Sequence, residues 1–486
     1  MPIELTNLTF TYDVLDAPLF EDVSLTLNDD WRLGLVGRNG RGKSTLLKLL
    51  MQELEYEGEI RTNLEFVYFP LAIRNSDYPA FLALDEVMPV EQWQLERECQ
   101  LLGMDKTILW QPFASLSGGE QTRVMLAALF CEESRFALLD EPTNHLDISG
   151  REQLASYLEK KKGYIVVSHD RQFLDRVTDH TLVIERSQVK LYQGNFSTYE
   201  SQKQRQDQFE LDQNRALKSE IARIEKSARE KVDWGLEREK PSGNDPFGNA
   251  IAKRMMKRGK AIERRTNAKI EEKKSLLKNI EKIDDLTITP VTSHRNPVMR
   301  VKNLTLSYGD KVLFEPISFE LYQGEQLAIV GPNGSGKTTL MNYLQIGAAE
   351  LVVEGEVLMP QGVSTSHVSQ TARHSGTLQQ FAEANNLDYT LFLNNLRILG
   401  FTRDVFHVPI EEMSEGQKKK VELAKSLGTP AELYLWDEPL NYLDVYNQQQ
   451  IEKMIKTFQP TVLFIEHDRT FVERVAIRVI ELKQLN

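Results

Sequence analysis

The chain has 486 residues, 41% of them apolar, which is length for two domains and a connector and enough apolar material to fold them. No run of about eighteen apolar residues offers a membrane span, the opening MPIELTNLTFTYD lacks the basic and apolar regions of a signal peptide, and two cysteines, Cys99 and Cys131, are too few for a zinc site or a disulfide framework, so a reducing cytoplasm is expected. A formal net charge of -12 speaks against a uniformly basic nucleic-acid binder but leaves room for segregated positive charge.

In chain order, WRLGLVG is a short apolar run ended by glycine, as expected of a buried strand feeding a turn. It runs into Gly37-Arg38-Asn39-Gly40-Arg41-Gly42-Lys43-Ser44 and the helical stretch KSTLLKLLMQEL. ASLSGGEQTRV precedes a second helix, FALLD and YIVVS read as further buried strands, and ALLDEPTNHLD and YIVVSHDRQFLDRV follow in turn. From about 200 to 240 no proline occurs, and Leu217, Ile221, Ile224 and Ala228 recur at helical spacing. Pro241, Gly243, Pro246 and Gly248 then form a dense breaker cluster. A second helical run follows from Ile251 to about Asp284, with Ile262, Leu276 and Ile283 at multiples of seven. This predicts an antiparallel helical hairpin with its tip near 241–250, projecting roughly 45 Å.

Beyond 296 the first set of motifs returns. LAIVGPNGSGKTT answers LGLVGRNGRGKST, EEMSEGQKKKV answers ASLSGGEQTRV, YLWDEPLNYLD answers ALLDEPTNHLD, and VLFIEHDRTFVERV answers YIVVSHDRQFLDRV. The offset is 294 at the phosphate loops, 297 at the Asp-Glu pairs and 298 at the late histidines. The chain is a tandem duplication, with a first copy at 1–199, a connector at 200–295 and a second copy at 296–486. Alternating strands and helices make each copy α/β, with a mostly parallel sheet covered by helices.

Two stretches fit the phosphate loop. In the first, Gly37, Asn39, Gly40, Gly42, Lys43, Ser44 and Thr45 are the candidate phosphate-binding residues. In the second they are Gly331, Asn333, Gly334, Gly336, Lys337, Thr338 and Thr339. Glycines let backbone N–H groups turn toward phosphate oxygens, the lysine reaches the terminal phosphates, and Ser44 or Thr338 can hold magnesium. A lone match could be a glycine-rich turn; two in register are not.

Asp140-Glu141 and Asp437-Glu438 each end an apolar run. The aspartate suits magnesium through its water shell, and the glutamate is placed to polarise an attacking water. Ser117, Gly118 and Gly119, and in the second copy Ser414, Gly416 and Gln417, open helices and can form anion sites, although a plain helix cap reads the same way. His169 and His467 follow apolar strands in a repeated His-Asp-Arg context, which favours a γ-phosphate sensor over a structural histidine. Tyr12 and Tyr308 could stack on adenine or belong to the core.

The connector carries the segregated charge. From Ile251 to Lys282 there are twelve Lys or Arg against four acids. Lys253, Arg254, Lys257, Arg258, Arg264 and Arg265 are candidate contacts to a phosphate backbone. The plain alternative is a solvated helix face. Phe247, between Pro246 and Gly248, could meet an RNA base or close a small turn cluster.

These motifs, in this order, resemble the ABC ATPase family, whose two domains close head to tail so that each ATP lies between one phosphate loop and the opposite signature. Two such domains with a charged helical connector and YQGNFSTYE before it resemble the ABC-F proteins. VYFP, LDYTLFLNNLR, WDEPLNYLDV and EVMPVEQWQLEREC resemble the Lsa and Vga antibiotic-resistance branch. The resemblance implies an ATPase using ATP and magnesium. It implies a ribosome-bound partner at the exit site, touching large-subunit rRNA and exit-site or P-site tRNA. It also implies protection from lincosamides, streptogramin A and pleuromutilins, by a monomer whose two domains form an internal pseudo-dimer. A housekeeping translation factor and the ATPase subunit of a transporter with a separate permease are the alternatives, and a DNA-repair ATPase would normally bring zinc-binding cysteines. The sequence departs from the family pattern at three places. The breaker loop at 241–250 is short. Leu71 stands where the family has a glutamine, a magnesium ligand kept in the second copy as Gln370. Glu415 stands for a glycine in the second signature, where its charge either lies near a γ-phosphate or points to solvent. Leu71 and Glu415 fall in the same composite site, so the two sites are expected to be unequal.

Overall fold

The computed structural model describes residues 2–484 apart from 13–16, 133, 145, 238–263, 266–267, 272, 275–284, 310, 348–350, 371–373 and 403. It has two compact units. One joins Met1–Ser197 to Asp284–Asn486, and the other is Thr198–Ile283.

The first unit contains both copies. In the first, the sheet order is Glu65–Phe69, Arg135–Asp140, Tyr164–Val167, Arg32–Gly37, His180–Glu185 and Gln188–Gln193. All neighbours are parallel except the last pair. The second copy repeats the order with Thr365–Val368, Leu433–Asp437, Val462–Ile465, Gln326–Val330 and Arg478–Glu481, all parallel. Tyr164–Val167 and Leu433–Asp437 are buried at every residue. Helices cover both faces, which is why these strands read as unbroken apolar runs and not as alternation. A separate antiparallel sheet in each copy centres on Ile3–Phe10 or Met299–Tyr308.

The phosphate loops leave the carboxyl ends of the central strands and feed the helices Lys43–Leu50 and Lys337–Ile346. Gly42 and Gly336 precede those helices at φ 89° and 85°. A Cβ at Gly42 would lie 2.7 Å from the Leu19 side chain, and one at Gly336 would lie 3.0 Å from Leu313. Conformation and close packing therefore both demand glycine at these positions.

In the second unit, the helix Phe196–Glu237 continues from the first copy. Residues 264–265, 268–271 and 273–274 are also helical. Ile221 and Ile270 are buried, and Lys273 Nζ lies 2.7 Å from a Glu220 carboxylate oxygen, so these two segments lie side by side. The buried Ile221 falls on the apolar stripe read from the sequence. The expected tip at 241–250, with Phe247, and the residues Lys253, Arg254, Lys257 and Arg258 lie outside the described residues; Arg264 and Arg265 are exposed on helix.

Candidate nucleotide sites

The two phosphate loops hold their lysines in the same way. Lys43 Nζ donates to Gly37 O (2.8 Å) and Asn39 Oδ1 (3.1 Å). Lys337 Nζ donates to Gly331 O (2.9 Å) and Pro332 O (2.8 Å). Each ammonium therefore stands over a loop whose glycines, Gly40 and Gly42 or Gly334 and Gly336, have positive φ. Ser44, Thr45, Thr338 and Thr339 lie in the first turns of the following helices, where free N–H groups favour an anion. Tyr12, partly buried, packs edge-on against Phe10, and its hydroxyl is 3.0 Å from Thr45 Oγ1 beside the loop. Tyr308 is exposed at the end of its strand.

Asp140 accepts from Ser44 Oγ (2.6 Å) and from Tyr68 Oη (3.0 Å). Asp437 is buried beside the Thr338 hydroxyl, and burial with the neighbouring Glu438 pushes its carboxyl up to about 6. Glu141 and Glu438 both adopt left-handed backbone, at φ 53° and 47°. They are fixed there by Glu141 N–H donating to Val167 O (2.9 Å) and Glu438 N–H donating to Ile465 O (3.0 Å). Strain of this kind at a non-glycine residue, repeated in both copies, marks a position where geometry is kept at a cost to stability.

His169 Nε2 is 3.1 Å from Glu141 Oε1, and His467 Nε2 is 3.3 Å from Glu438 Oε1. From there the copies diverge. Glu438 also accepts from Gln370 Nε2 (3.1 Å) and Asn441 Nδ2 (2.5 Å). Burial pushes its carboxyl upward, yet His467, Gln370 and Asn441 outweigh burial and hold it at about 2. Glu141 is pushed up to about 8 by burial, with the neighbouring Asp140 adding to the effect. Burial and Lys43 together push His169 down to about 3, so its imidazole is neutral.

The strand register shows why. Phe69 pairs with Leu139 and Val368 with Trp436, each partner standing just before its Asp-Glu pair. Leu71 and Gln370 therefore occupy the same place, two residues further on, and leucine has no donor to offer.

Each signature serine is a helix N-cap. Ser117 accepts from Glu120 N–H and Ser414 from Gln417 N–H, both within capping boxes. The cap and the anion site are compatible, because the remaining first-turn N–H groups, including those of Gly118, Gly119 and Gly416, stay available. Glu415 does not approach a phosphate position. Its carboxylate is largely exposed and accepts from Lys418 Nζ at 3.0 Å, one turn along its own helix. This side-chain direction does not support the expected repulsion, which leaves Leu71 as the basis for expecting unequal sites.

The copies face each other through two aspartates to which the sequence reading assigned no role. Asp444 caps the helix Val445–Phe458 by accepting from Asn447 N–H (2.9 Å), and its other oxygen accepts from Asn39 N–H of the first phosphate loop (2.8 Å). Asn39 Nδ2 donates to Tyr442 O at 2.8 Å. Asp147 repeats the arrangement. Against the burial that opposes them, the N–H groups of Gly150 and Asn333 and the Ser149 hydroxyl hold its carboxyl below the usual range. Lys420, on the second signature helix, lies near Asp444, Lys43 and Arg38, and burial pushes its ammonium down to about 8. The first phosphate loop thus meets the second copy, and the second loop meets the first. The signal was present in the sequence, since both aspartates end the repeated Asp-Glu-Pro motif.

Residues 20–144 and 314–441 match the ABC transporter family. Ribosome protection protein VmlR of Bacillus subtilis is 30% identical across 97% of this chain and 85% of its own length. Energy-dependent translational throttle protein EttA of Haemophilus influenzae is 29% identical across 95% and 89%. The chain belongs to the ABC-F family of ATPases. Like its relatives, this ABC-F protein hydrolyses ATP. Among solved structures, archaeal ribosome recycling factor aABCE1 superposes with a TM-score of 0.65 at 22% identity, covering 99% of this chain and 88% of that one, a likeness of fold. No described helix of the ABC-F chain is long and apolar enough to cross a membrane.

Proposed function

We propose that this ABC-F protein is a ribosome-protection factor. It binds ribosomes at the exit site in the ATP-closed state, protects them from antibiotics acting at the peptidyl-transferase centre, and leaves after hydrolysis. The observation that carries this reading is the similarity to ribosome protection protein VmlR over 97% of the chain. Closure of the two copies around both phosphate loops supports the ATP dependence, and the exposed Arg264 and Arg265 on the helical unit support contact with large-subunit rRNA. The partners are the ribosome and exit-site or P-site tRNA, met by a monomer in the cytoplasm.

Glu141 and Glu438 act on the attacking water, with His169 and His467 beside the γ-phosphate. Ser44 and Asp140 in one site, and Thr338, Asp437 and Gln370 in the other, hold magnesium. The buried carboxylate of Asp437, beside the Thr338 hydroxyl, suits a cation's water shell. Bound there, the cation neutralises charge on the phosphates. Phe247 is the residue expected to act at the drug pocket.

The similarity to throttle protein EttA supports a second reading, a general translation factor. Expression in a drug-sensitive strain separates the two. Protection predicts raised tolerance to a lincosamide, streptogramin A or pleuromutilin, lost in the Glu141→Gln/Glu438→Gln variant. Unchanged tolerance to all three favours the second reading.

A further inference from the structure

The helix that opens at the second signature, Glu415–Gly428, carries a stripe of buried charge. Lys419, Glu422 and Lys425 are 4%, 1% and 8% exposed. The capping boxes at Ser117 and Ser414 fix the register between the copies, which puts Thr122, Met125 and Ala128 at these places in the first. The first copy therefore builds the same helix with no charge at the three positions. Burying charge opposes folding unless partners compensate for it.

In the second copy those partners surround Gln370. Lys419 Nζ donates to Ser369 O and to Asp437 O, each at 2.9 Å. The strands Thr365–Val368 and Leu433–Asp437 pair as far as Val368 with Trp436. Ser369 and Asp437 are the next residues on each chain, so one buried ammonium joins the two where the ladder ends. Gln370 follows Ser369, and Glu438 follows Asp437. Lys419 thus ties together the backbones that carry the hydrogen bond from Gln370 Nε2 to Glu438 Oε2. Glu422 holds the other flank, with one carboxylate oxygen on His374 Nε2 and the other accepting from Lys425 Nζ at 2.8 Å.

We propose that Lys419, supported by Glu422 on the same helix face, is a positioning residue of the second ATP site, holding Gln370 where its amide orients the Glu438 carboxylate. It acts through Gln370 and not on the reacting groups. The proposal rests on the reading of Glu438 as the group that acts on the attacking water. The first copy supplies the control. It lacks the clamp and the glutamine together, with Thr122 for Lys419 and Leu71 for Gln370. That joint loss assigns the lysine to the glutamine and not to the general stability of the fold, which the first copy reaches without either.

Ribosome-free ATPase kinetics of the full chain in the Glu141→Gln background report the second site. Lys419→Met keeps the apolar stem and removes the donors. It should lower kcat at least about tenfold, as for a misplaced catalytic group, and leave KM within about twofold. The triple variant Lys419→Thr/Glu422→Met/Lys425→Ala installs the first copy's residues and removes the buried charges together, which guards against the misfolding that one unpaired charge can cause. It should lose kcat to a similar extent at unchanged KM. With Gln370→Leu already present, adding Lys419→Met should cost less than about twofold more, because residues acting as one unit do not add. Parental kcat in either variant, a loss carried by KM, or an equally large loss with and without Gln370 would overturn the positioning role alone. Parental activity in Glu438→Gln would overturn the reading of Glu438, and this proposal with it.

Discussion

Gln370 Nε2 donates to Glu438 Oε2 at 3.1 Å, and the place of this glutamine in the first copy belongs to Leu71. Glu438 is therefore oriented by an amide, by Asn441 and by His467, whereas Glu141 has His169 beside it and no matching amide. At neutral pH Glu438, held at about 2, is ionised and able to accept a proton from water, whereas Glu141, pushed up to about 8, is largely protonated.

The first prediction concerns turnover at the two sites. Glu438→Gln should lower ribosome-stimulated ATPase activity by about 100-fold or more, the range for removing a general base. Glu141→Gln should cost distinctly less and should lengthen retention of ATP in a filter-binding chase. Gln370→Leu should move the second site toward the first, with loss of kcat exceeding any change in KM. Equal losses from the two glutamate variants, or the reverse order, would show that Leu71 has no kinetic consequence.

The Asp-Glu pairs and phosphate loops were legible because glycine spacing and apolar runs are local signals, and the duplication made each one visible twice. The parallel sheets followed from those runs. The contact of Asn39 with Asp444 was not legible, since the two residues are 405 apart in sequence and meet only when the copies close. The two directions open to Glu415 could not be separated for a related reason. Position beside a signature serine gave no side-chain direction, and the lysine one turn along its helix draws the carboxylate outward. Tyr12 showed the limit of residue type alone, because an aromatic near a phosphate loop can serve the core and still touch the loop with its hydroxyl.

A second prediction follows from the double duty of Asp444. Asp444→Ala removes a helix cap worth about 1 kcal/mol and the acceptor of Asn39 N–H together. Asp444→Ser should restore the cap without reaching Asn39. Thermal stability should recover in the serine variant while ATP affinity at the first site stays weakened. Full recovery of ATP affinity with serine would reduce Asp444 to a cap.

Third, Arg171 of the first copy and Glu452 of the second form a buried ion pair across the interface between copies, with Arg474 also 3.4 Å from Glu452. Removing one partner of such a pair leaves a buried charge, on the order of 3 kcal/mol. Arg171→Met should raise the ATP concentration needed for closure, measured by energy transfer between labels on the two copies. Adding Glu452→Leu should relieve the defect, because a well-packed apolar pair avoids the desolvation. An unchanged closure curve in the single variant would remove the pair from the closing mechanism.

Fourth, the basic run of the helical unit should supply affinity through phosphates. Replacing Lys253, Arg254, Lys257 and Arg258 by Gln should weaken ribosome binding and flatten its dependence on salt, by roughly one slope unit per lost contact. ATPase activity without ribosomes should change little. Affinity and slope equal to the parent would make these residues a solvated face.

The central claim is that ATP-bound closure creates the ribosome-binding form and hydrolysis releases it. The direct measurement is co-sedimentation of the Glu141→Gln/Glu438→Gln variant with ribosomes at low salt, with ATP, with ADP and without nucleotide. The account predicts near-complete association with ATP and little otherwise, together with arrest of translation in a cell-free system. A variant that stays free of ribosomes with ATP, or binds them equally well in all three conditions, would contradict it.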